Sequence, residues 1–246
     1  METALALIAG GIIGAVLGLV GAGGAMLSVP ILMYGFGFDP KPATTAALAV
    51  VLLAALSGLI PKVRKKQVLY RDAFVIWAIG SITNLGFSSI VEQIPDSVIT
   101  TGFAGVLILA GASMLRPPRL DEQKRMPFPV LVVMSLLIGT MTGLFGIGGG
   151  FLAIPVLVLY FGTPQIVAAG TSLLIIAVNS LTAFVGHRSQ WADVQWHIPI
   201  LMGASAIVIA QIASQLSHKT SPVLLRRAFA YLLFTISLFT IFETYF

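Results

Sequence analysis

The 246-residue sequence has no cysteine and very little charge. Without cysteine there is no disulfide, no thiolate nucleophile and no cysteine-ligated metal. Asp, Glu, Lys and Arg together make up 9% of the chain, against 57% hydrophobic residues and a mean hydropathy of +0.99. Water-soluble domains carry roughly a quarter charged residues, so a soluble fold is excluded. No Asp or Glu lies at the centre of an apolar stretch, so there is no obvious carboxylate proton relay and no ground for naming a coupling ion. His187, His197 and His218 sit at stretch ends, with spacings that match no metal motif. Neither His–Glu–x–x–His nor Gly–x–Ser–x–Gly occurs, so an enzyme, a metal and a cofactor are not expected.

Long apolar runs fill the chain instead. They extend roughly over 3–20, 24–38, 43–60, 73–91 and 98–115, then over 129–145, 150–162, 166–185, 198–216 and 223–246. Most have the length a helix needs to cross ~30 Å of hydrocarbon. The expected class is an all-α polytopic membrane protein, with the lipid bilayer as its surroundings. The first run has no basic leader and a counterpart in mid-chain, so it is expected to stay in the mature fold. The net charge of +5 comes from loops and reads as membrane orientation, not as nucleic-acid binding.

The runs repeat. Gly18 to Gly37 recurs 125 residues later as Gly143 to Gly162, with ten of twenty positions identical. Further on, an offset of 126 pairs Phe103–Ala104 with Phe229–Ala230. One transport domain over residues 1–246 is expected, with repeat 1 at 1–115, a linker at 116–128 and repeat 2 at 129–246.

Lys62 to Asp72 holds five basic residues and one acid, and the linker carries Arg116, Arg119, Lys124 and Arg125; both read as cytoplasmic. The counterpart loop, His187 to His197, holds only Arg188 against Asp193, which favours inverted repeats of about five segments each. The alternative is eight spans plus two re-entrant segments, because 24–38 would cover only ~22 Å as a helix.

Each copy interrupts its apolar run with glycine and then proline: Gly21, Gly23, Gly24 and Pro30 in the first, Gly146, Gly148, Gly149 and Pro155 in the second. Broken hydrophobic segments at matching places in two halves point to a transporter's binding site. Backbone N–H groups freed at such a break, with the positive end of a helix dipole, favour an anion. Gly23, Gly24, Gly148 and Gly149 are therefore candidate substrate contacts, with Gly21, Pro30, Gly146 and Pro155 as break residues. Thr171, Ser172 and Asn179 add neutral donors, with Thr171 or Ser172 sharing a helix face with Asn179. The competing explanation is structural: glycines allow close helix approach, hydroxyls bond back to their own helix, and Asn179 joins helices. Trp77, Trp191 and Trp196 read as interface anchors.

The doubled G-L-x-G-x-G-G-x-x-L-x-x-P-x-L pattern and the segment Ala168 to Leu173 with Asn179–Ser180 resemble the sulfite exporter TauE/SafE family, also called the 4-toluene sulfonate uptake permease family. The resemblance covers almost the whole chain. It implies a bacterial inner-membrane transporter of small sulfur-containing anions such as sulfite or sulfonates. With the two interrupted halves, the expectation is a secondary transporter working by alternating access between the repeats. The first repeat departs from the pattern, with Ala46–Ala47 where Thr–Ser is expected, which points to Thr171 and Ser172 as the dominant donors. A passive anion channel and a non-transporting membrane assembly protein are the alternatives. Substrate, direction, coupling ion and any homo-oligomer stay open.

Overall fold

The structure is a computed structural model that describes residues 2–88, 96–115, 128–145, 150–160, 162–217 and 219–245. Among the described residues every regular element is helical. The hydrocarbon core offers no hydrogen bonds, and a helix satisfies its backbone within its own segment. The helices are α1 (Glu2–Val20), α2 (Gly24–Pro30), α3 (Pro40–Arg64), α4 (Tyr70–Ser88), α5 (Asp96–Leu115), α6 (Phe128–Phe145), α7 (Gly150–Pro155), α8 (Gln165–Gly186), α9 (His197–Leu216) and α10 (Pro222–Tyr245). Among the described residues five are long and apolar enough to cross a bilayer: α1, α3, α8, α9 and α10. Large apolar side chains such as Ile8, Phe74, Ile82, Leu109, Leu238 and Phe242 point outward, while the interior is rich in alanine. That is the distribution expected where lipid is the solvent and small residues let helices approach closely.

Close approach sets the helix pairing. A Cβ added at Gly10, Gly14 or Gly18 of α1 would strike the backbone of Met202, Ala206 or Ala210 of α9. The numbers rise together, so α1 and α9 run in the same direction. α3 also follows α9: the Ser57 hydroxyl donates to the Ile207 carbonyl at 2.6 Å, and the Ser214 hydroxyl to the Gly58 carbonyl at 2.7 Å. α8 runs opposite to α3, with Gly170 beside Lys62 at one end and Thr45 beside His187 at the other. α5 and α10 are antiparallel, since Gly111 meets Ala230 and the Ser237 hydroxyl donates to the Ala104 carbonyl at 3.1 Å. α4 packs on α6 where Gly80 meets Gly139, and α8 packs on α4. Shifted by 125 or 126 residues, the pair α1–α9 becomes α6–α4, and α3–α9 becomes α8–α4.

Because α1 and α3 share a direction, the segment between them returns along the bundle. It does so through the expected break. Gly21 (φ 83°) and Gly23 (φ 89°) turn the chain into α2. Pro30 has no N–H, so a carbonyl of the preceding turn loses its donor and Ile31–Gly35 continues as a wider π turn. The segment ends with Gly37 (φ 68°) and a bond from the Phe38 N–H to the Leu32 carbonyl at 3.1 Å. The second half repeats these features 125 residues later: Pro155, a π turn over Val156–Tyr160, Gly162 (φ 59°) and a Thr163 N–H bond to the Leu157 carbonyl at 3.0 Å. Gly146, Gly148 and Gly149 lie outside the described residues.

Two sequence assignments change. Lys62 is not a loop residue: α3 continues through Pro61 to Arg64, and the Lys62 side chain is fully buried. Trp77 is not an interface anchor: it lines a small cavity between α4, α6 and α8, with its indole N–H buried.

Candidate functional site

The predicted residues separate into two groups at different depths. The first surrounds the Gly21–Gly24 turn, which is buried in protein. Gly21 abuts the Ala169 backbone of α8, Gly23 faces Leu232 and Val16, and Gly24 meets Leu17. The turn lies near the C-terminal ends of α1 and α9, closer to the basic loop after α3 than to the middle of the bundle. The first N–H groups of α2 have no partner within that helix, as at any helix start.

Thr171 belongs to this end and its hydroxyl is committed. It donates to the Val167 carbonyl at 2.8 Å and accepts the Leu69 N–H at 3.1 Å, pinning the loop before α4 onto α8. The back-bond to the preceding turn is a structural role, not a substrate contact. Thr171→Val is expected to lower stability by about 1–3 kcal/mol by stranding the Leu69 N–H. Thermal unfolding in detergent measures this, and an unchanged midpoint would show that the bond contributes nothing.

Lys62 is the unanticipated member of this group. Its ammonium donates to the Ser217 hydroxyl at 2.6 Å, and Ser217 donates onward to the Ser214 carbonyl at 2.7 Å. Lys65, three residues further on, carries a like charge. The C-terminal ends of α3 and α9 converge here, and their dipoles favour a cation. The counterpart of Lys62 at an offset of 125 is His187, just past α8. The Thr45 hydroxyl lies 3.2 Å from His187 Nδ1 and donates to Gln190 Oε1 at 3.2 Å. Burial holds the His187 imidazole below its usual pKa, favouring the neutral ring.

The second group follows one face of α8. Ser172 and Asn179 are seven residues apart, so their side chains fall within about 20° of one another around the helix. Thr171 projects from another face. Gln165 stands seven residues before Ser172 on the same stripe, and both atoms of its buried carboxamide lack a hydrogen-bond partner. Asn179 lines a small cavity with Ile76, Trp77, Gly80 and Asn84 of α4 and Ile138 and Gly139 of α6. Sequence reading missed Gln165 and placed Trp77 at the membrane interface. The missed signal was the exact seven-residue spacing of Gln165, Ser172 and Asn179.

The sequence matches the family described as "Sulfite exporter TauE/SafE" over residues 6–240. The chain belongs to the TauE/SafE family. Among curated proteins it is 29% identical to a "Probable membrane transporter protein" of Xylella fastidiosa, covering 96% of this chain and 94% of the relative. It is 26% identical to "Probable membrane transporter protein YunE" of Bacillus subtilis, covering 89% and 90%. A shorter match, 43% identical over 65 residues, reaches "Sulfite exporter TauE/SafE family protein 5" of Arabidopsis thaliana, covering 26% and 14%. This TauE/SafE chain is thus a membrane transporter. Among the described residues no cluster of three or more His, Asp or Glu could hold a metal ion.

Proposed function

We propose that the protein is a secondary transporter of small sulfur-containing anions, such as sulfite or small sulfonates, in a bacterial inner membrane. Alternating access occurs between two inverted repeats. The observation that carries this reading is the matched break: Pro30 and Pro155, the following π turns, and Gly37 and Gly162 recur at one offset in two halves. Backbone of this kind is tolerated at membrane depth only inside protein or along a cavity. The helix directions support inversion. α1 and α3 run with α9, whereas α8, the counterpart of α3, runs against α3.

The donor chemistry fits an anion. The Gly23–Gly24 turn offers backbone N–H groups, and the sequence carries the same glycine pair at Gly148–Gly149. Ser172, Asn179 and Gln165 set neutral donors along ~21 Å of α8. Neutral donors stabilise an anion without the cost of a permanent intramembrane charge. Sulfur-anion chemistry enters through the family description, which names sulfite export.

The test is uptake of labelled sulfite into proteoliposomes, with sulfate and acetate as controls. Selective sulfite flux above protein-free vesicles is expected. Equal flux of all three, or none from folded and inserted protein, would remove the sulfur-anion assignment.

A further inference from the structure

The cavity between α4, α6 and α8 carries a more specific conclusion about the substrate, one that rests on the anion-transport reading. Its lining consists of Ile76, Trp77, Gly80, Asn84, Ile138, Gly139 and Asn179. Gly80 lies near the middle of α4, Ile138 in the central part of α6, and Asn179 well inside α8, so the cavity sits at mid-height of these helices, with Trp77, Asn84 and Asn179 each partly buried. Three of its seven residues carry hydrogen-bond donors, namely an indole and two carboxamides. The Trp77 Nε1–H is buried and has no hydrogen-bond partner. A buried unsatisfied donor is rare in a folded protein and calls for an explanation such as a ligand or water. Gly80 and Gly139 meet at the cavity wall, where a Cβ on Gly139 would strike the Gly80 carbonyl. The space holds about one water molecule, so a ligand there must be small and must widen the space on binding.

None of the seven lining residues is titratable or charged. Transferring a charge from water to neutral donors becomes much costlier as the charge doubles, because solvation energy rises with the square of the charge. We propose that Trp77, Asn84 and Asn179 form the substrate site and that it accepts small oxyanions carrying a single negative charge. For sulfur(IV) the transported species is then hydrogen sulfite, not the sulfite dianion. The indole N–H and carboxamide N–H groups donate to the anion's oxygens, and Ile76 and Ile138 close the apolar side. The pairing of Asn179 with Ala54, and of Trp77 with Gly203, under the repeat offset gives the other half no equivalent donors, so the site is single.

The test compares initial uptake of labelled sulfite and methanesulfonate in proteoliposomes across neutral pH. Methanesulfonate keeps one negative charge throughout, so it reports any titration of the protein, including that of Lys62 or His187. Sulfite uptake is expected to fall as pH rises through its second ionisation, while methanesulfonate uptake stays level. Trp77→Phe, which keeps the ring and removes the N–H, should raise KM for both by about tenfold, the scale of one hydrogen bond to a charged group. Asn84→Ala and Asn179→Ala should act in the same direction. Parallel pH profiles for the two anions would overturn the monoanion site, as would unaltered KM in all three variants. Absence of uptake of either anion by folded wild-type protein would end the anion-transport reading itself, and this inference with it.

Discussion

Gly21→Ala is expected to abolish recovery of folded protein, while Gly37→Ala leaves it folded. Both glycines have a left-handed backbone, with φ of 83° and 68°. A Cβ in that region costs roughly 1–2 kcal/mol. The difference between them is space. A Cβ on Gly37 meets nothing within 4 Å, whereas one on Gly21 would lie 2.5 Å from the Cα and Cβ of Ala169. That contact is with the backbone of α8, which no side-chain rotation relieves. Overpacking of this kind adds about 1–3 kcal/mol and here would also move α8 away from the break. Size-exclusion profiles and thermal midpoints after detergent extraction measure the contrast. Equal behaviour of the two variants would show that the Gly21–Ala169 approach does not hold α1 against α8.

The second large effect is an asymmetry between two partners of one bond. Ser217→Ala is expected to cost about 2–3 kcal/mol, because it leaves the ammonium of Lys62 buried without its hydroxyl partner. Lys62 is 0% exposed and cannot turn to water without opening the α3–α9 contact. Lys62→Met removes the charge and keeps the chain's volume, so its cost is expected to stay below about 1 kcal/mol. In the Lys62→Met background, Ser217→Ala should become nearly neutral. Thermal midpoints of the two single variants and the double variant give this directly. Additive losses would mean that Ser217 acts through its bond to the Ser214 carbonyl and not through Lys62.

Much of the architecture was legible in the sequence because lipid imposes simple rules. Apolar length specified helices, and a repeated glycine–proline punctuation located two broken segments that the structure contains at Pro30 and Pro155. The rest depended on helix phase and on neighbours. Lys62 read as a loop residue because Pro61 and four nearby basic residues resemble the end of a span, yet α3 carries the side chain inward to α9. Trp77 read as an interface anchor because it stands near the end of an apolar run, and composition does not reveal which side of α4 faces α6. Thr171 and Ser172 are adjacent in sequence but about 100° apart on α8, so one holds the Leu69 loop while the other shares a stripe with Asn179. The glycines proved dual in role: Gly18 closes the α1–α9 contact, while Gly21 and Gly23 make the turn.

The central claim is that two pseudo-symmetric halves carry a small sulfur anion by exposing one site alternately to each side. Counterflow tests it most directly. Proteoliposomes loaded with unlabelled sulfite are diluted into trace labelled sulfite, and internal label is followed over time. An alternating-access carrier predicts transient accumulation above equilibrium that saturates with internal sulfite and is lost in protein-free vesicles. Label that only rises to equilibrium, with no overshoot and no saturation, would mean a passive pore and contradict the carrier.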